Sequence, residues 1–411
     1  MCSQLRLGVI GYGVRARHMA QIVCSQDPSV RLTAVADPQA DRVREEILAA
    51  DPNAILPRFY ADADQMLSDE SLDGVIIGTR CSLHAKMAVK VMQRDIALLL
   101  EKPVATTLPD LMTLRANKSS RVVVSFPLRV SRIVRLAKQI IDSGKIGAVE
   151  HVQSWNNVPY GNVYFQTWYR DEAETQGLFL QKATHDLDYI NFLLGDMRPR
   201  FVSAMTSKRV FHGEHPAGLR CMDCPERKVC YESPYHPARL APIPLNQPAP
   251  EMCAFAIDTG NEDSGSALIE YESGMHVAYS QNFYARNKAA RRGATLIGYD
   301  GTIEFDWYPE RLKVYLHHSD QMETHEFGSE QAHGGGDAAL AANFVGVMRG
   351  DEESVTPLEI GLMSALMCLK AKESAASRRF QAIEWPDAGI AQERNGAHER
   401  ERDLAASGYR A

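Results

Sequence analysis

Short apolar runs alternate with amphipathic segments over the first 126 residues. The apolar runs are mostly continuous, as expected of parallel strands buried on both faces; they lie near residues 7–10, 32–36, 59–61, 74–78, 97–100 and 122–126. The amphipathic segments repeat at the helical period; they cover residues 14–23, 42–50, 63–67, 84–94 and 108–116. This order predicts an α/β fold: a doubly wound parallel sheet that binds ligands at the C-terminal ends of its strands.

Past residue 126 the strands are longer, and apolar and polar residues alternate in them. These strands lie near residues 149–155, 201–205, 266–271, 276–282, 294–298, 301–307 and 312–317. With helices at 133–143, 343–348 and 358–377, they predict an α+β domain with an open, largely antiparallel sheet. We expect a dinucleotide-binding domain over 1–126, and a substrate and oligomerisation domain over 127–387 that holds a cysteine-rich loop near 212–253. A polar tail over 388–411 would follow.

The first strand ends in a glycine turn typical of dinucleotide-binding proteins. In Gly11-x-Gly13-x-x-Ala16, the first glycine permits a tight turn and the second lets a pyrophosphate approach the backbone. Ala16 is small enough for close packing of helix on strand. The helix opens at Val14 and Arg15, where free N–H groups would face the phosphates.

The second strand ends at Asp37, 21 residues after Ala16. A carboxylate at this place accepts hydrogen bonds from the adenosine ribose and repels a 2′-phosphate. The pattern favours NAD over NADP, and Arg42 is the residue that leaves NADP open.

Composition narrows the class of protein. The 411 residues are 45% hydrophobic and 24% charged, with a net charge of −7 and a pI near 6.0. This balance gives no electrostatic basis for nucleic-acid binding. We find neither an apolar run of membrane length nor a signal-peptide pattern, and therefore expect a cytoplasmic protein without a membrane partner.

Two polar groups follow predicted elements where a nicotinamide would lie. Glu101-Lys102-Pro103 ends the fifth strand, and a lysine there can hold a substrate hydroxyl and help it to lose its proton. Thr184 is a plausible N-cap for a helix that ends at Gly195. His185 would then lie in the first turn, where the helix dipole favours the neutral imidazole.

These motifs together resemble the glucose-fructose oxidoreductase / inositol dehydrogenase / rhizopine catabolism (Gfo/Idh/MocA) family. The matching positions are GYGVRA in the glycine turn, Asp37, Thr79 with His84, the Glu101–Pro103 turn, GKIG at 144–147 and His185-x-x-Asp188. The resemblance implies hydride transfer between a nicotinamide and a ring carbon of a sugar or polyol. It also implies a homodimer or homotetramer.

The resemblance assigns roles to particular residues. Lys102 and His185 would be the pair that handles the proton. Thr79, His84, Glu101 and Lys102 would join the glycine turn around the cofactor. Trp168 and Arg170 match a Trp-x-Arg that lines the cleft between cofactor and substrate. Many members carry an aspartate four residues before the histidine; here that residue is Gln181, followed by Lys182.

Four cysteines are grouped in the predicted loop. Cys221-x2-Cys224-x5-Cys230, followed by Cys253, suits a tetrahedral structural zinc. The insertion resembles one subgroup of the family. Reduced thiols and a disulfide remain open, as does a fourth ligand from His212, His215 or His236.

Two further clusters could contact the substrate. Residues 284–292 are basic, and with Lys182 the guanidinium of Arg286 would suit an anionic sugar. His333-Gly-Gly-Gly-Asp337 predicts a loop before a helix, with Asp337 as its N-cap.

The sequence therefore predicts an NAD-dependent enzyme that oxidises a secondary hydroxyl of a sugar or glycoside. The alternative is an NAD-recycling glycosidase: oxidation acidifies a C–H bond, elimination expels the aglycone, water adds, and the same NADH reduces the ketone. Such family members accept sulfoquinovosides, among other substrates. A third reading is a non-enzymatic NAD-binding regulator.

Overall fold

The computed structural model describes residues 4–238, 251–328 and 332–386. Six strands form a parallel sheet: β1 (Leu5–Ile10), β2 (Val30–Ala36), β3 (Arg58–Tyr60), β4 (Gly74–Ile77), β5 (Ala97–Leu100) and β6 (Val122–Val124). Their order, β3-β2-β1-β4-β5-β6, is that of the doubly wound dinucleotide-binding fold, with a switch point beside β1. The predicted first domain is confirmed in its architecture.

Five helices connect these strands: α1 (Val14–Gln26), α2 (Ala40–Ala50), α3 (Ala63–Asp69), α4 (His84–Met92) and α5 (Leu108–Ala116). Polar side chains cap two of them. Asp62 accepts from the backbone N–H groups of Asp64 and Gln65, and Thr107 accepts from that of Asp110. These bonds satisfy donors that a helix start leaves unpaired.

The second domain contains a nine-stranded sheet. Its strands are β7 (Val149–Asn157), β8 (Pro199–Ser207), β9 (Ser264–Tyr271), β10 (His276–Asn282), β11 (Arg291–Gly298), β12 (Gly301–Asp306), β13 (Arg311–Leu316), β14 (Met322–Glu326) and β15 (Gln381–Ala382). The order is β14-β13-β12-β11-β7-β10-β9-β8-β15. Within the described part of this sheet, only β7 and β10 pair in parallel, and the other neighbouring strands are antiparallel. The expected open, largely antiparallel sheet is confirmed.

Six further helices follow: α6 (Arg132–Asp142), α7 (Val163–Gln166), α8 (Glu172–Thr175), α9 (Thr184–Leu194), α10 (Gly336–Arg349) and α11 (Leu358–Ser377). Of these, α6, α9 and α11 pack against one face of the nine-stranded sheet. Along β9 buried and exposed residues alternate, so its other face lies open. Helix α11 packs against β8 and α9, and also against α5 of the first domain.

Helix α10 departs from the predicted division into consecutive domains. It begins at Gly336, seven residues before the predicted start, and packs on α1 of the first domain. Its residues Leu340 and Phe344 are fully buried in the core formed by Leu7, Leu99 and their neighbours. The parallel sheet is therefore covered in part by the C-terminal half of the chain.

The predicted tail, residues 388–411, and Cys2 lie outside the described residues. Among the described helices, none combines the length and the apolar character that a bilayer crossing requires.

Candidate active site

The glycine turn has the geometry that its sequence predicts. Gly11 has a φ of +79°, and a Cβ atom there would lie 2.8 Å from the backbone of Thr79. A Cβ on Gly13 would meet nothing nearer than the Gly78 carbonyl oxygen, at 3.8 Å. Space is therefore open where a pyrophosphate would approach. Ala16 packs closely on β4, because a Cβ on Gly78 would lie 2.5 Å from that of Ala16.

Asp37 is held beside this turn by backbone donors. Its Oδ2 accepts from the N–H of Tyr12 at 2.8 Å, and its Oδ1 accepts from that of Gln39, also at 2.8 Å. The carboxylate thus lies where β1 and β2 end, next to the place for a ribose.

Arg15 makes contacts that the sequence did not indicate. Its Nε donates to Glu101 at 2.9 Å, and its Nη2 and Nη1 donate to Asp337 at 2.6 and 2.9 Å. Ser125 also donates to Glu101, at 2.9 Å. The arginine therefore links α1, the end of β5 and α10. The predicted N-cap role of Asp337 is wrong, because Gly335 precedes α10 and Asp337 lies within its first turn.

Lys102 follows β5 and reaches across to the second domain. Its Nζ donates to the backbone carbonyl of Gln181 at 2.8 Å. Burial, opposed by Cys81 but reinforced by the positive charge of Lys182, lowers the pKa of Lys102 to about 8. The amine is thus neutral in a minority of molecules at neutral pH, and this neutral form can accept a proton.

His185 lies on α9, but the expected free helix end is absent. A π-helical turn, Phe179–Ala183, runs directly into α9, so Thr184 is not a cap; its hydroxyl lies 3.2 Å from that of Ser364. The predicted cause of a neutral imidazole, the dipole at a free helix start, is therefore wrong. The predicted preference of His185 for the neutral form agrees with the structure. Burial, followed by the charges of Lys102 and Arg292, lowers the pKa of His185 well below its usual value.

His185 packs at the C-terminal edge of the parallel sheet, the edge that also carries Lys102. The ring of Phe126, at the end of the sheet, meets the His185 ring edge-on with centroids 5.8 Å apart. The Nδ1 atom of His185 is buried without a hydrogen-bond partner among the described residues. Gln181, one turn earlier, bonds instead to Cys81 and to the Thr175 carbonyl.

Two buried ion pairs that sequence reasoning missed fix α9. Arg292 of β11 donates to Asp186 at 2.8 Å, and Asn156 and Tyr279 donate to the same carboxylate. Arg129 holds Asp188, with Nη2 2.6 Å from Oδ1. Both arginines lie far away along the chain: Arg292 is 106 positions from Asp186, and Arg129 is 59 positions from Asp188.

Lys182 is buried and has no carboxylate partner in the described structure. Its Nζ donates to the Tyr160 hydroxyl and lies 4.7 Å from the centre of that ring. Burial and the neighbouring charge of Arg292 lower the pKa of Lys182 well below its usual value.

His84 joins the Lys102 turn to the end of β4. Its Nδ1 lies 2.8 Å from the Pro103 carbonyl and its Nε2 lies 3.2 Å from the Thr79 carbonyl. Burial lowers the pKa of His84, and a neutral ring donates to only one of these oxygens. The predicted pair Thr79 and His84 therefore orders the loop behind the glycine turn.

Trp168 is brought from the second domain to this loop. The guanidinium of Arg80, next to Thr79, lies 4.1 Å from the centre of the Trp168 ring. Arg170 pairs with Asp258, while its Nε and Nη1 are buried without a partner among the described residues.

Arg286 lacks the free charge expected of an anion-binding group. Its Nη2 donates to both carboxylate oxygens of Glu232, at 3.0 and 3.1 Å, and its Nη1 donates to two backbone carbonyls. Its guanidinium is thus neutralised within the protein.

Cys221, Cys224, Cys230 and Cys253 line one small pocket. All four are free thiols, and the other three raise the pKa of Cys221 beyond the effect of burial. The disulfide alternative is therefore not realised here. Within the described residues, however, no three His, Cys, Asp or Glu side chains are placed to hold a metal ion.

The structure thus combines a dinucleotide-binding domain of NAD-dependent oxidoreductases with an open-sheet domain that closes over its strand ends. Comparison with known families agrees. Residues 5–126 match the oxidoreductase family model with an NAD-binding Rossmann fold, and residues 134–304 match the GFO/IDH/MocA C-terminal domain. The chain belongs to the Gfo/Idh/MocA family and is an NAD-binding oxidoreductase.

Known relatives extend this picture. A Bacillus subtilis protein named as an oxidoreductase, YteT, is 28% identical over 326 residues, 70% of this chain and 75% of YteT. The scyllo-inositol 2-dehydrogenase (NAD(+)) of B. subtilis is 26% identical over 209 residues, 47% of this chain and 55% of that protein. Levoglucosan dehydrogenase in complex with NADH has the same fold, with a TM-score of 0.73 at 16% identity over 93% of this chain and 100% of that one.

Proposed function

We propose that the protein is an NAD-dependent dehydrogenase that oxidises a secondary hydroxyl group of a sugar or glycoside. The observation that carries this is the hydrogen bond from Lys102, at the end of β5, to the carbonyl of Gln181 in the π-helical turn that runs into α9, the helix of His185. Relatives named for inositol and levoglucosan support the class of substrate.

Bound NAD would accept the hydride from the carbon that carries the hydroxyl. Lys102 takes the hydroxyl proton, and His185 orients the same oxygen. General-base help of this kind contributes about 10²–10⁴-fold. Gly11, Gly13, Val14 and Ala16 cradle the pyrophosphate, and Asp37 selects NAD by holding the ribose.

The remaining predicted substrate residues border this position. Trp168 and Arg170 would line the cleft, and Lys182 would contact the sugar. With Arg286 neutralised by Glu232 and Arg292 paired with Asp186, preference for an anionic sugar would depend on Lys182.

The assignment is tested with Lys102→Ala, and Lys86→Ala on the exposed face of α4 as its control. NADH formation is measured on scyllo-inositol, levoglucosan and p-nitrophenyl glycosides, and NAD binding by calorimetry. We expect Lys102→Ala to bind NAD and to lose turnover by at least 10²-fold. Unchanged turnover in this variant would refute the role of Lys102.

The same assays separate the alternatives. Aglycone release without net NADH identifies the NAD-recycling glycosidase. A regulator would bind NAD yet form no NADH and release no aglycone with any substrate in the panel.

Zinc at the four cysteines stays a prediction. Thiolates in a Cys-x-x-Cys arrangement suit a structural site with no place for water. Emission spectrometry of the purified protein should find one zinc per chain, and less in Cys224→Ser. Metal-free protein with reactive thiols would contradict it.

We also propose a homodimer or homotetramer, formed through the open sheet face.

A further inference from the structure

Helix α9 supplies no carboxylate to the imidazole that it carries. Gln181 occupies the position one turn before His185, and its side chain bonds to Cys81 and Thr175. The two carboxylates that follow are taken by Arg292 and Arg129. The charges that act most strongly on His185 are Lys102, Arg292, Lys182 and His333, and all are cationic when protonated. An imidazolium at this place is therefore poorly stabilised.

A second imidazole has the carboxylate that His185 lacks. The Nδ1 of His333 lies 2.9 Å from Oδ2 of Asp337, one helical turn along the chain. Because a carboxylate oxygen only accepts, Nδ1 carries the proton, and Nε2 is the basic nitrogen of the neutral ring. Arg15 holds Asp337 in place with two hydrogen bonds, so the carboxylate stays ionised.

The loop that carries His333 lies against the segment that follows β6. The loop takes left-handed conformations at His333, Gly334 and Gly335, with φ of 53°, 59° and 85°. It then passes so close to the segment after β6 that a Cβ on Gly336 would lie 1.9 Å from the Pro127 carbonyl oxygen. The preceding residue, Phe126, is the one that contacts His185.

The same pair is linked to the Lys102 turn. Arg15 donates both to Asp337 and to Glu101, the neighbour of Lys102. The His333 side chain keeps 28% of its surface exposed, whereas that of Asp337 keeps 2%. His333 is thus the member of this pair that reaches solvent.

We propose that His333, supported by Asp337, is a further catalytic residue that carries the substrate's proton from Lys102 to solvent. In this step an N–H bond of the Lys102 ammonium breaks, water between the two groups passes the proton on, an N–H bond forms at Nε2 of His333, and Asp337 remains ionised. Water then takes the proton. The inference rests on the proposed function, because oxidation of an alcohol releases the proton that must leave.

The first test uses His333→Ala, which removes the imidazole, and His333→Gln in case the smaller side chain disturbs the loop. The control is His18→Ala, whose ring approaches the same carboxylate at 3.8 Å from α1. We measure kcat on the sugar of the panel above that the wild-type protein oxidises fastest. We expect kcat to fall at least 10-fold in both His333 variants. Added free imidazole should restore part of the rate in His333→Ala alone. A merely structural role would give no rescue.

The second test needs no turnover. In ¹⁵N-histidine-labelled protein saturated with NADH, we expect the His333 spectrum to show protonated Nδ1 and a pKa above that of His185. The groups that face His333 are Asp337, Arg15, Arg292 and His185, and Asp337→Asn should lower the His333 pKa.

Wild-type kcat in the His333 variants, loss without rescue, or a His333 pKa below that of His185 would each overturn the relay. These results would leave the dehydrogenase intact if Lys102→Ala is inactive. If no sugar in the panel reduces NAD, the proposed function fails instead, and the titration still decides whether the His333 pair exists.

Discussion

At the scale of single residues, buried positive charge sets the protonation state of the site. The charge of Lys182 lowers the pKa of Lys102, the charge of Arg292 lowers that of Lys182, and all three cationic groups lower that of His185. Arg292 is itself bonded to Asp186. Desolvation and like charge both disfavour the ammonium form. A lysine can therefore act as a base here, although its ordinary pKa is about 10.4.

This charge predicts the pH dependence of alcohol oxidation. With a Lys102 pKa of about 8, kcat/KM should rise with pH through a midpoint near 8 and level off above it, because the neutral amine is the base. Lys182→Met removes a positive neighbour, which should raise the Lys102 pKa and shift the midpoint to higher pH. A midpoint that stays in place or moves down would contradict this electrostatic account.

Gly13 offers a test of cofactor binding that spares the fold. A methyl group fits the protein, since its nearest contact would be at 3.8 Å, but it would occupy the approach of the pyrophosphate. We expect Gly13→Ala to unfold at the wild-type temperature and to bind NAD at least 10-fold more weakly, measured by calorimetry.

Gly11→Ala is the matched comparison. Its methyl would meet the Thr79 backbone at 2.8 Å, with φ at +79°, so this variant should lose stability as well as affinity. Equal NAD affinity in Gly13→Ala and the wild type would show that the cofactor does not approach this turn.

Sequence reasoning located single residues well where local chemistry decides. Gly13, Asp37 and Lys102 lie at the strand ends that their motifs predict. It failed where a distant partner decides: Asp337 pairs with Arg15, 322 positions away, instead of capping a helix. Arg286 likewise finds Glu232, which no local pattern indicates.

At the scale of elements, the same division holds. The predicted bounds of Ala97–Leu100, Leu108–Ala116, His276–Asn282 and Leu358–Ser377 agree with the structure. Strand β14 was missed because it lies at the sheet edge, with no residue fully buried and little apolar pattern. The π-helical turn before α9 also escaped, since it runs directly into that helix and a periodicity of 3.6 residues does not distinguish it.

Helix α10 is the element that ties the two halves of the chain together. Phe344, with none of its surface exposed, packs in the core of the first domain. Phe344→Ala should cost about 3–5 kcal/mol. We therefore expect a lower melting temperature and faster amide hydrogen exchange in β1 and β5.

Phe380→Ala serves as the control, because that ring is 67% exposed. Its melting temperature should match the wild type. If Phe344→Ala leaves exchange in β1 and β5 unchanged, then α10 contributes nothing to the parallel sheet.

At the scale of the whole molecule, the site is built from both domains and from a helix that returns late in the chain. The first domain provides the glycine turn, Asp37 and Lys102, the second provides His185, and α10 anchors Arg15 through Asp337. Only an intact chain brings these groups together. Cofactor binding and stability should therefore respond together to changes at the contact between the domains.

The open sheet face predicts the assembly of the molecule. Met205 on β8 and Leu268 on β9 expose 76% and 53% of their surfaces on this face. If copies pair through it, a charge at its centre would be buried without a partner. Leu268→Asp should then shift the mass measured by light scattering from a dimer or tetramer toward the 45.7 kDa monomer. Ile55→Asp, at a side chain 93% exposed in the first domain, should leave the mass unchanged. A monomeric wild type, or a Leu268→Asp oligomer of wild-type mass, would place any interface elsewhere.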